Sequence, residues 1–240
     1  MSEAAALVFL LDVDNTLLDN DRFAADLGDT LVQAFGAGER DRYWSIYEKL
    51  RDEFGYADYL GALQRFRRGL DNDPALLQMS KYLLEYPFAD RLYPHVLETI
   101  THLRTLAPTV ILSDGDVVFQ PRKIQHAGLW AAVGGNVLIP MHKQRALASM
   151  QRRFPAPRYV MVDDKPDLLA AMKRVLGERL VTVFVRQGHY ARAAIEAAAG
   201  APSGAVADPP PDLAIEAIGD LLAHRFDDLT AAAPDPAAAA

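Results

Sequence analysis

Residues Leu7 to Thr16 read Leu-Val-Phe-Leu-Leu-Asp-Val-Asp-Asn-Thr. The five apolar residues Leu7–Leu11 predict a short strand buried on both faces. The run stops at Asp12, and Asp14 follows two positions on, which is the same side of an extended chain. Thr16 adds a hydroxyl one step beyond Asn15. Two carboxylates crowded at the end of a buried strand repel each other, and burying them is costly without compensation. A bound cation is the simplest compensation, and hard oxygen ligands favour Mg²⁺. One carboxylate on the metal and another beside it also make a nucleophile and a proton-transfer group. The competing reading of Asp-Asn is plain turn chemistry after a strand, and the rest of the chain decides between them.

Downstream, helical spacing dominates. Phe23, Leu27, Leu31 and Phe35 recur four apart, with Gly36 and Gly38 behind them. Tyr43, Tyr47, Leu50 and Phe54 make a second face that ends at Gly55. Asp58 caps a third helix carrying Tyr59, Leu63, Phe66 and Leu70, and Asp73-Pro74 opens a fourth with Leu76, Leu77, Leu83 and Leu84. Residues 20–88 therefore read as a small all-helical bundle whose aromatic stripe is its core.

From Tyr93-Pro94 onward the pattern alternates. Helices are expected over Pro94–Leu106, Phe119–Ala127, from Lys143 to about Phe154, and over Pro166–Leu176. Strands are expected at Thr109–Leu112, Val137–Ile139, Tyr159–Val162 and Leu180–Val185. This β-α alternation predicts an α/β fold, a Rossmann-like, doubly wound parallel sheet with helices on both faces. Ala191–Asp212 reads as a short helix and a loop, Leu213–Ile215 as an edge strand followed by a helix to about His224, and the Ala/Pro-rich stretch from Ala231 as a disordered tail. The domain division that follows is a core of residues 1–19 and 89–230 with an inserted helical domain of residues 20–88.

Composition narrows the classes of function. The chain has 240 residues, half of them hydrophobic, and a formal net charge of −7, which gives no electrostatic case for nucleic acid or an anionic membrane. It has no cysteine, which excludes disulfides, thiolate metal sites and cysteine nucleophiles. The N-terminus lacks a basic region, and its apolar run is far too short to span a bilayer. A soluble, cytoplasmic protein is expected, and nothing in the sequence specifies an oligomeric state.

In open α/β sheets ligands bind at the carboxyl ends of the strands, and each conspicuous polar cluster falls at such an end. Asp12, Asp14 and Thr16 follow the first strand; Ser113-Asp114-Gly115-Asp116 the second; Lys143 the third; Asp163 and Asp164 the fourth. Gly115 would let a ligand approach closely. Acids, hydroxyls and a lysine converging on one crevice suit a Mg²⁺ ion and a phosphoryl group.

These motifs, in this order, resemble the haloacid dehalogenase superfamily: Asp12-Val13-Asp14-Asn15-Thr16, then Ser113, then Lys143, then Val162-Asp163-Asp164-Lys165-Pro166-Asp167. The resemblance spans Leu7 to about Val185, and the helical insertion resembles the superfamily's type 1 cap. It implies a Mg²⁺-dependent phosphatase for a small phosphorylated metabolite. In that scheme Asp12 attacks phosphorus, and Asp14 is the general acid and base. Thr16 and Ser113, with Asp114 and Gly115, hold the phosphoryl group, and Lys143 offsets its charge. The metal is held by Asp12, the Asp14 carbonyl and Asp163, Asp164 or both; Asp163 stands where the family often has glycine. Asp167 reads either as the later acid of that motif or as a surface carboxylate in a first helical turn. Asp116 either shapes its loop or lines the crevice. His142 reads as structural. Arg40, Arg42, Arg51, Arg65, Arg67 and Arg68 form a mostly solvated face from which one or two reach an acidic substrate. The alternatives are a dehalogenase, which uses the same nucleophile without metal or second acid, a phosphomutase, a phosphonate hydrolase needing a cap lysine (Lys49 or Lys81), and a non-catalytic binding protein.

Overall fold

Strand β1 (Leu7–Leu11) lies inside the sheet with all five residues buried, as the uninterrupted apolar run requires. The computed structural model describes residues 5–70, 73–200 and 204–225; the expected tail from Ala231 lies outside them. Five more strands join β1: β2 (Thr109–Leu112), β3 (Val137–Leu138), β4 (Arg158–Asp163), β5 (Leu180–Val185) and β6 (Leu213–Ile215). All pairings are parallel, in the order β3-β2-β1-β4-β5-β6. Phe9 sits opposite Thr109 on one side and Val160 on the other. The chain thus leaves β1 in one direction for β2 and β3, then returns past it to β4, which creates a crevice at the strands' carboxyl ends beside β1.

Alternation along the strands divides the core. Phe9, Leu11, Val160 and Val162 face one side, together with Val96, Ile100 and Leu103 of α5 (Val96–Leu106) and Ile124 of α6 (Phe119–His126). Val8, Leu10, Tyr159 and Met161 face the other, against Leu147 and Met150 of α8 (Leu147–Arg153), Leu169 and Met172 of α9 (Pro166–Leu176) and Ala191 of α10 (Gly188–Ala199). A short α7 (Leu129–Ala132), which the sequence pattern does not anticipate, follows Gly128.

Between β1 and α5 the regular structure among the described residues is helical, apart from isolated bridges: α1 (Asn20–Phe35), α2 (Ala37–Phe54), α3 (Tyr59–Phe66), α4 (Pro74–Glu85) and a 3₁₀ turn at Phe88–Arg91. Asp58 accepts from the Gly61 amide and Asp73 from the Ala75 amide, so the two expected caps form. The two connections between this segment and the sheet run side by side. The Asp19 amide donates to the Arg91 carbonyl at 2.8 Å and the Tyr93 amide to the Leu17 carbonyl at 3.0 Å.

Of the boundaries that differ from the sequence reading, three differ most in kind or length. Lys143 opens a 3₁₀ turn (Lys143–Arg145) rather than an α-helix, because its amide is drawn to the Asp114 carboxylate at 2.5 Å while its side chain turns inward. The segment Ile218–Ala223 is likewise 3₁₀, with Asp220 accepting from the Glu216 and Ala217 amides. Helix α10 starts three residues before Ala191 and runs twelve residues.

Candidate active site

The carboxyl ends of β1 to β5 open into a cavity of about 700 Å³. Its floor carries Asp12, Asp14, Ser113, Asp114, Lys143 and Lys165; its upper walls come from α1, α2, the following loop, Tyr59 and α10. Helices α1 and α2, with the start of α3, therefore cover the crevice that the sheet topology creates.

Lys143 is the electrostatic hub. It is 1% exposed, and its Nζ lies 2.5 Å from Asp12 Oδ1 and 2.6 Å from Asp163 Oδ2. Burial opposes its charge, but Asp12, Asp163 and Asp114 outweigh burial and raise its pKa. Both oxygens of Asp163 are engaged, the second accepting from the Lys165 amide at 2.9 Å. Asp164 is the opposite case: both carboxylate oxygens are buried without a hydrogen-bond partner. Burial, then the adjoining Asp163 and Asp12, push its pKa well above the usual carboxylate range. Asp12 is raised to about 7, with burial and Asp163 acting upward and Lys143 downward. One oxygen from each of Asp12, Asp163 and Asp164 lies within 4.8 Å of the others. Orphaned buried carboxylate oxygens in an all-oxygen cluster fit a hard divalent cation.

Asp14 stands apart from that cluster, lining the cavity with its side chain 24% exposed. Lys123 Nζ donates to its Oδ1 at 2.7 Å and Gln120 Nε2 to its Oδ2 at 3.3 Å. Gln120 also donates to Ser113 Oγ at 3.0 Å. Lys123 comes from α6 and is fully buried; its Nζ sits 5.5–5.7 Å from the ring centroids of Phe23, Tyr59, Phe88 and Phe119 and donates to Asn20 Oδ1 at 3.0 Å. Three of those rings belong to the helical segment and its return linker, so the ammonium that holds Asp14 is itself held by the covering helices.

Several expectations are revised by this geometry. Gly115 gives no ligand access: a Cβ there would meet Gln120 Cβ at 2.7 Å, so the glycine makes room for Gln120. Thr16 is fully buried, its Oγ1 lacks a partner, and it is not among the cavity-lining residues. Asp116 shapes its loop, accepting from the Val118 and Phe119 amides at the start of α6. Asp167 is exposed in the first turn of α9, outside the acidic cluster. His142 packs directly on Gly55, where a Cβ would fall 2.3 Å from His142 Cε1, consistent with its structural reading. Among the cap arginines, Arg51 alone lines the cavity.

Residues that carry no sequence signal, or a weaker one, complete the picture. Lys123 and Gln120 belong to no motif. His189 and Tyr190 follow β5, where the same strand-end rule applied to Arg186–Tyr190 finds them. His189 Nδ1 lies 2.5 Å from Asp21 Oδ1, and Arg192 and Asn15 also contact that carboxylate. Burial opposes ionisation of Asp21, but His189 and Asn15 prevail and lower its pKa. Lys165 Nζ lies 4.5 Å from the Tyr190 ring centroid. Burial works to lower its pKa, and Asp164 and Asp12 raise it overall.

The fold and this constellation define an aspartate-centred α/β hydrolase. A family profile for haloacid dehalogenase-like hydrolases matches residues 7–175, and the chain belongs to that family. A haloacid dehalogenase-like hydrolase from Burkholderia xenovorans is 53% identical, covering 92% of this chain and 99% of its own, with a TM-score of 0.81. The L-2-haloacid dehalogenase of Xanthobacter autotrophicus shares the fold at 18% identity (89% and 96% covered, TM-score 0.57). So does YfnB of Bacillus subtilis at 15% identity (90% and 96%, TM-score 0.56), whose structure is described as bound to magnesium and revealing interdomain movement. A search of curated proteins gives no match. Among the described residues no helix is long and apolar enough to cross a membrane.

Proposed function

We propose that this hydrolase is a Mg²⁺-dependent phosphatase acting on a small phosphorylated metabolite. The observation that supports it best is Asp164: two buried, unpartnered carboxylate oxygens beside Asp12 call for a cation. A dehalogenase reading has no use for that cation, nor for a second acid such as Asp14. Asp12 and Asp164 would hold Mg²⁺ with the Asp14 main-chain carbonyl, while Asp163, both of whose oxygens are engaged, would anchor Lys143 and the Lys165 amide behind them. When bound, the metal supplies charge neutralisation at the phosphoryl oxygens.

Asp12 attacks phosphorus, the ester oxygen departs with a proton from Asp14, and an aspartyl-phosphate forms. Asp14 then takes a proton from water as its oxygen attacks that phosphorus, which releases phosphate and regenerates Asp12. Lys143 offsets charge on Asp12 and the transferring group, and Ser113, steadied by Gln120, faces the same space. Residues 20–88 act as the cap that excludes water, moving about the paired linkers at Leu17–Asp19 and Arg91–Tyr93.

A panel of phosphate monoesters, assayed with Mg²⁺ and in excess chelator, tests the proposal, with 2-chloropropionate as the competing substrate. Phosphate release that requires Mg²⁺ is expected. Halide release without metal, and no phosphate release, would establish the dehalogenase reading instead.

A further inference from the structure

The cavity is far larger than a phosphoryl group. At about 700 Å³ it falls in the range of sites that enclose a ligand of drug size. Away from the acids, its walls are aromatic: Trp44 and Tyr47 from α2, Tyr56 from the following loop and Tyr190 from α10. The stripe read as cap core divides: Tyr43 and Phe66, both 0% exposed, pack inside the helical segment, whereas Tyr47 and Tyr59 also line the cavity. Trp44 and Tyr56, outside that stripe, are partly exposed and face the same space. These rings brace one another and their neighbours. Tyr47 stacks on Tyr59 at 4.8 Å, Trp44 meets Tyr47 edge-on at 5.3 Å, and Tyr190 packs on His189 at 3.9 Å. Bracing keeps the faces from collapsing into the space between them.

One polar pair interrupts the aromatic wall. Arg51 and Glu48 both line the cavity, joined by an ion pair of 2.6 Å, and Arg51 Nη1 donates to Tyr190 Oη at 3.3 Å. A donor and an acceptor side by side match the edge of a heteroaromatic ring, and flanking aromatic faces match its plane. A short acid would leave those faces without a partner.

We propose that this end of the cavity binds a planar, polar-edged ring on the alcohol half of the phosphate ester, as in a nucleoside monophosphate. The ring lies against Tyr47, Tyr56 and Tyr190 with its edge at Arg51 and Glu48, and the phosphoryl group reaches Asp12. The substrate class rests on the phosphatase reading; the ring subsite is tested apart from it.

Adenosine 5′-monophosphate and ribose 5-phosphate both release a primary ribosyl 5′-oxygen and differ by the ring. Benzyl and ethyl phosphate repeat the comparison with a ring that lacks a polar edge. The ring is expected to raise kcat/KM roughly ten- to hundredfold, chiefly through KM, and by more for adenosine than for benzyl. In Tyr56→Ala and in Tyr190→Ala the ratio between the two ribosyl esters should fall at least about fivefold. That ratio is internal to each variant and is insensitive to how much of it folds. Equal kcat/KM for the two ribosyl esters, or an unchanged ratio in both variants, overturns the subsite. If neither these esters nor 4-nitrophenyl phosphate is hydrolysed, the phosphatase reading fails. Adenosine should still quench the fluorescence of Trp44, with Trp44→Phe as control and ribose inert. No quenching by adenosine overturns the subsite whatever the catalytic result.

Discussion

Replacing Lys123 by methionine separates holding the fold from holding the acid. Lys123 is 0% exposed, and its ammonium has two polar partners, Asp14 and Asn20, inside four aromatic rings. Burying an ammonium costs several kcal/mol, which its ion pair and about 0.5–2 kcal/mol from ring faces offset. Methionine keeps the length of the side chain and makes favourable sulfur–ring contacts in the same cage. Asp14 keeps a 24% exposed side chain, so water can take the place of the lost ammonium. The net change in stability should be within about 1 kcal/mol, a Tm shift of no more than roughly 4 °C for a chain of this size. Catalysis should respond differently. With Lys123 gone, Asp14 loses its shorter hydrogen bond and keeps only the 3.3 Å contact to Gln120. General acid catalysis contributes roughly 10²–10⁴-fold, so kcat on an alkyl phosphate should fall by up to about that factor. On 4-nitrophenyl phosphate, whose leaving group needs little protonation, the loss should stay below about tenfold. Calorimetric Tm and kcat on the two esters decide the matter. Equal losses on both esters, or a Tm collapse beyond about 10 °C, would refute the positioning argument and make the ion pair structural.

The raised Asp12 pKa, about 7 against an unfolded 3.8, means that the metal-free folded state binds more protons than the unfolded chain between those values. Stability in chelator should therefore fall as pH rises from about 4 to about 7, and Mg²⁺ should recover it, with an affinity that drops about tenfold per pH unit below 7 for each proton displaced. Calorimetry in two buffers counts those protons, and a flat affinity with no proton release would contradict the site. Gly188→Ala meets both a positive φ of 72° and a Cβ only 2.4 Å from Asn15 Cβ, so about 2–4 kcal/mol should be lost. Gly36→Ala, at φ 87° and ψ 166° in open space, should lose about 1–3 kcal/mol from backbone strain alone, as thermal or denaturant unfolding will report.

The sheet is readable in the sequence because each strand is a short apolar run ending in punctuation, and periodicity reports that locally. Asp12, Asp163, Asp164 and Lys143 are readable for the same reason: each stands at or just beyond the end of a strand. Lys123 is not, because on α6 it is one cation among several, and only the packing of Phe23, Tyr59 and Phe88 against it makes it a partner of Asp14. Gly115 misleads for a related reason. A glycine after a catalytic strand looks like ligand access, yet the space is taken by Gln120, the second residue of a helix whose pose depends on tertiary contacts. The 3₁₀ turn at Lys143 escapes the pattern because Asp114, distant in sequence, sets its geometry. His189 and Tyr190 are within reach of the strand-end rule, but only when it is extended to β5, whose end carries no acidic pair to draw the eye.

The central claim is that Asp12 becomes phosphorylated during turnover. A phosphate monoester labelled at phosphorus, mixed with protein and Mg²⁺ and quenched in acid, should leave label on the peptide that contains Leu7–Thr16. Borohydride reduction should then convert Asp12, and not Asp14, to homoserine, and Asp12→Asn should carry neither label nor activity. Turnover with no trapped label, or label on Asp14, would contradict the account.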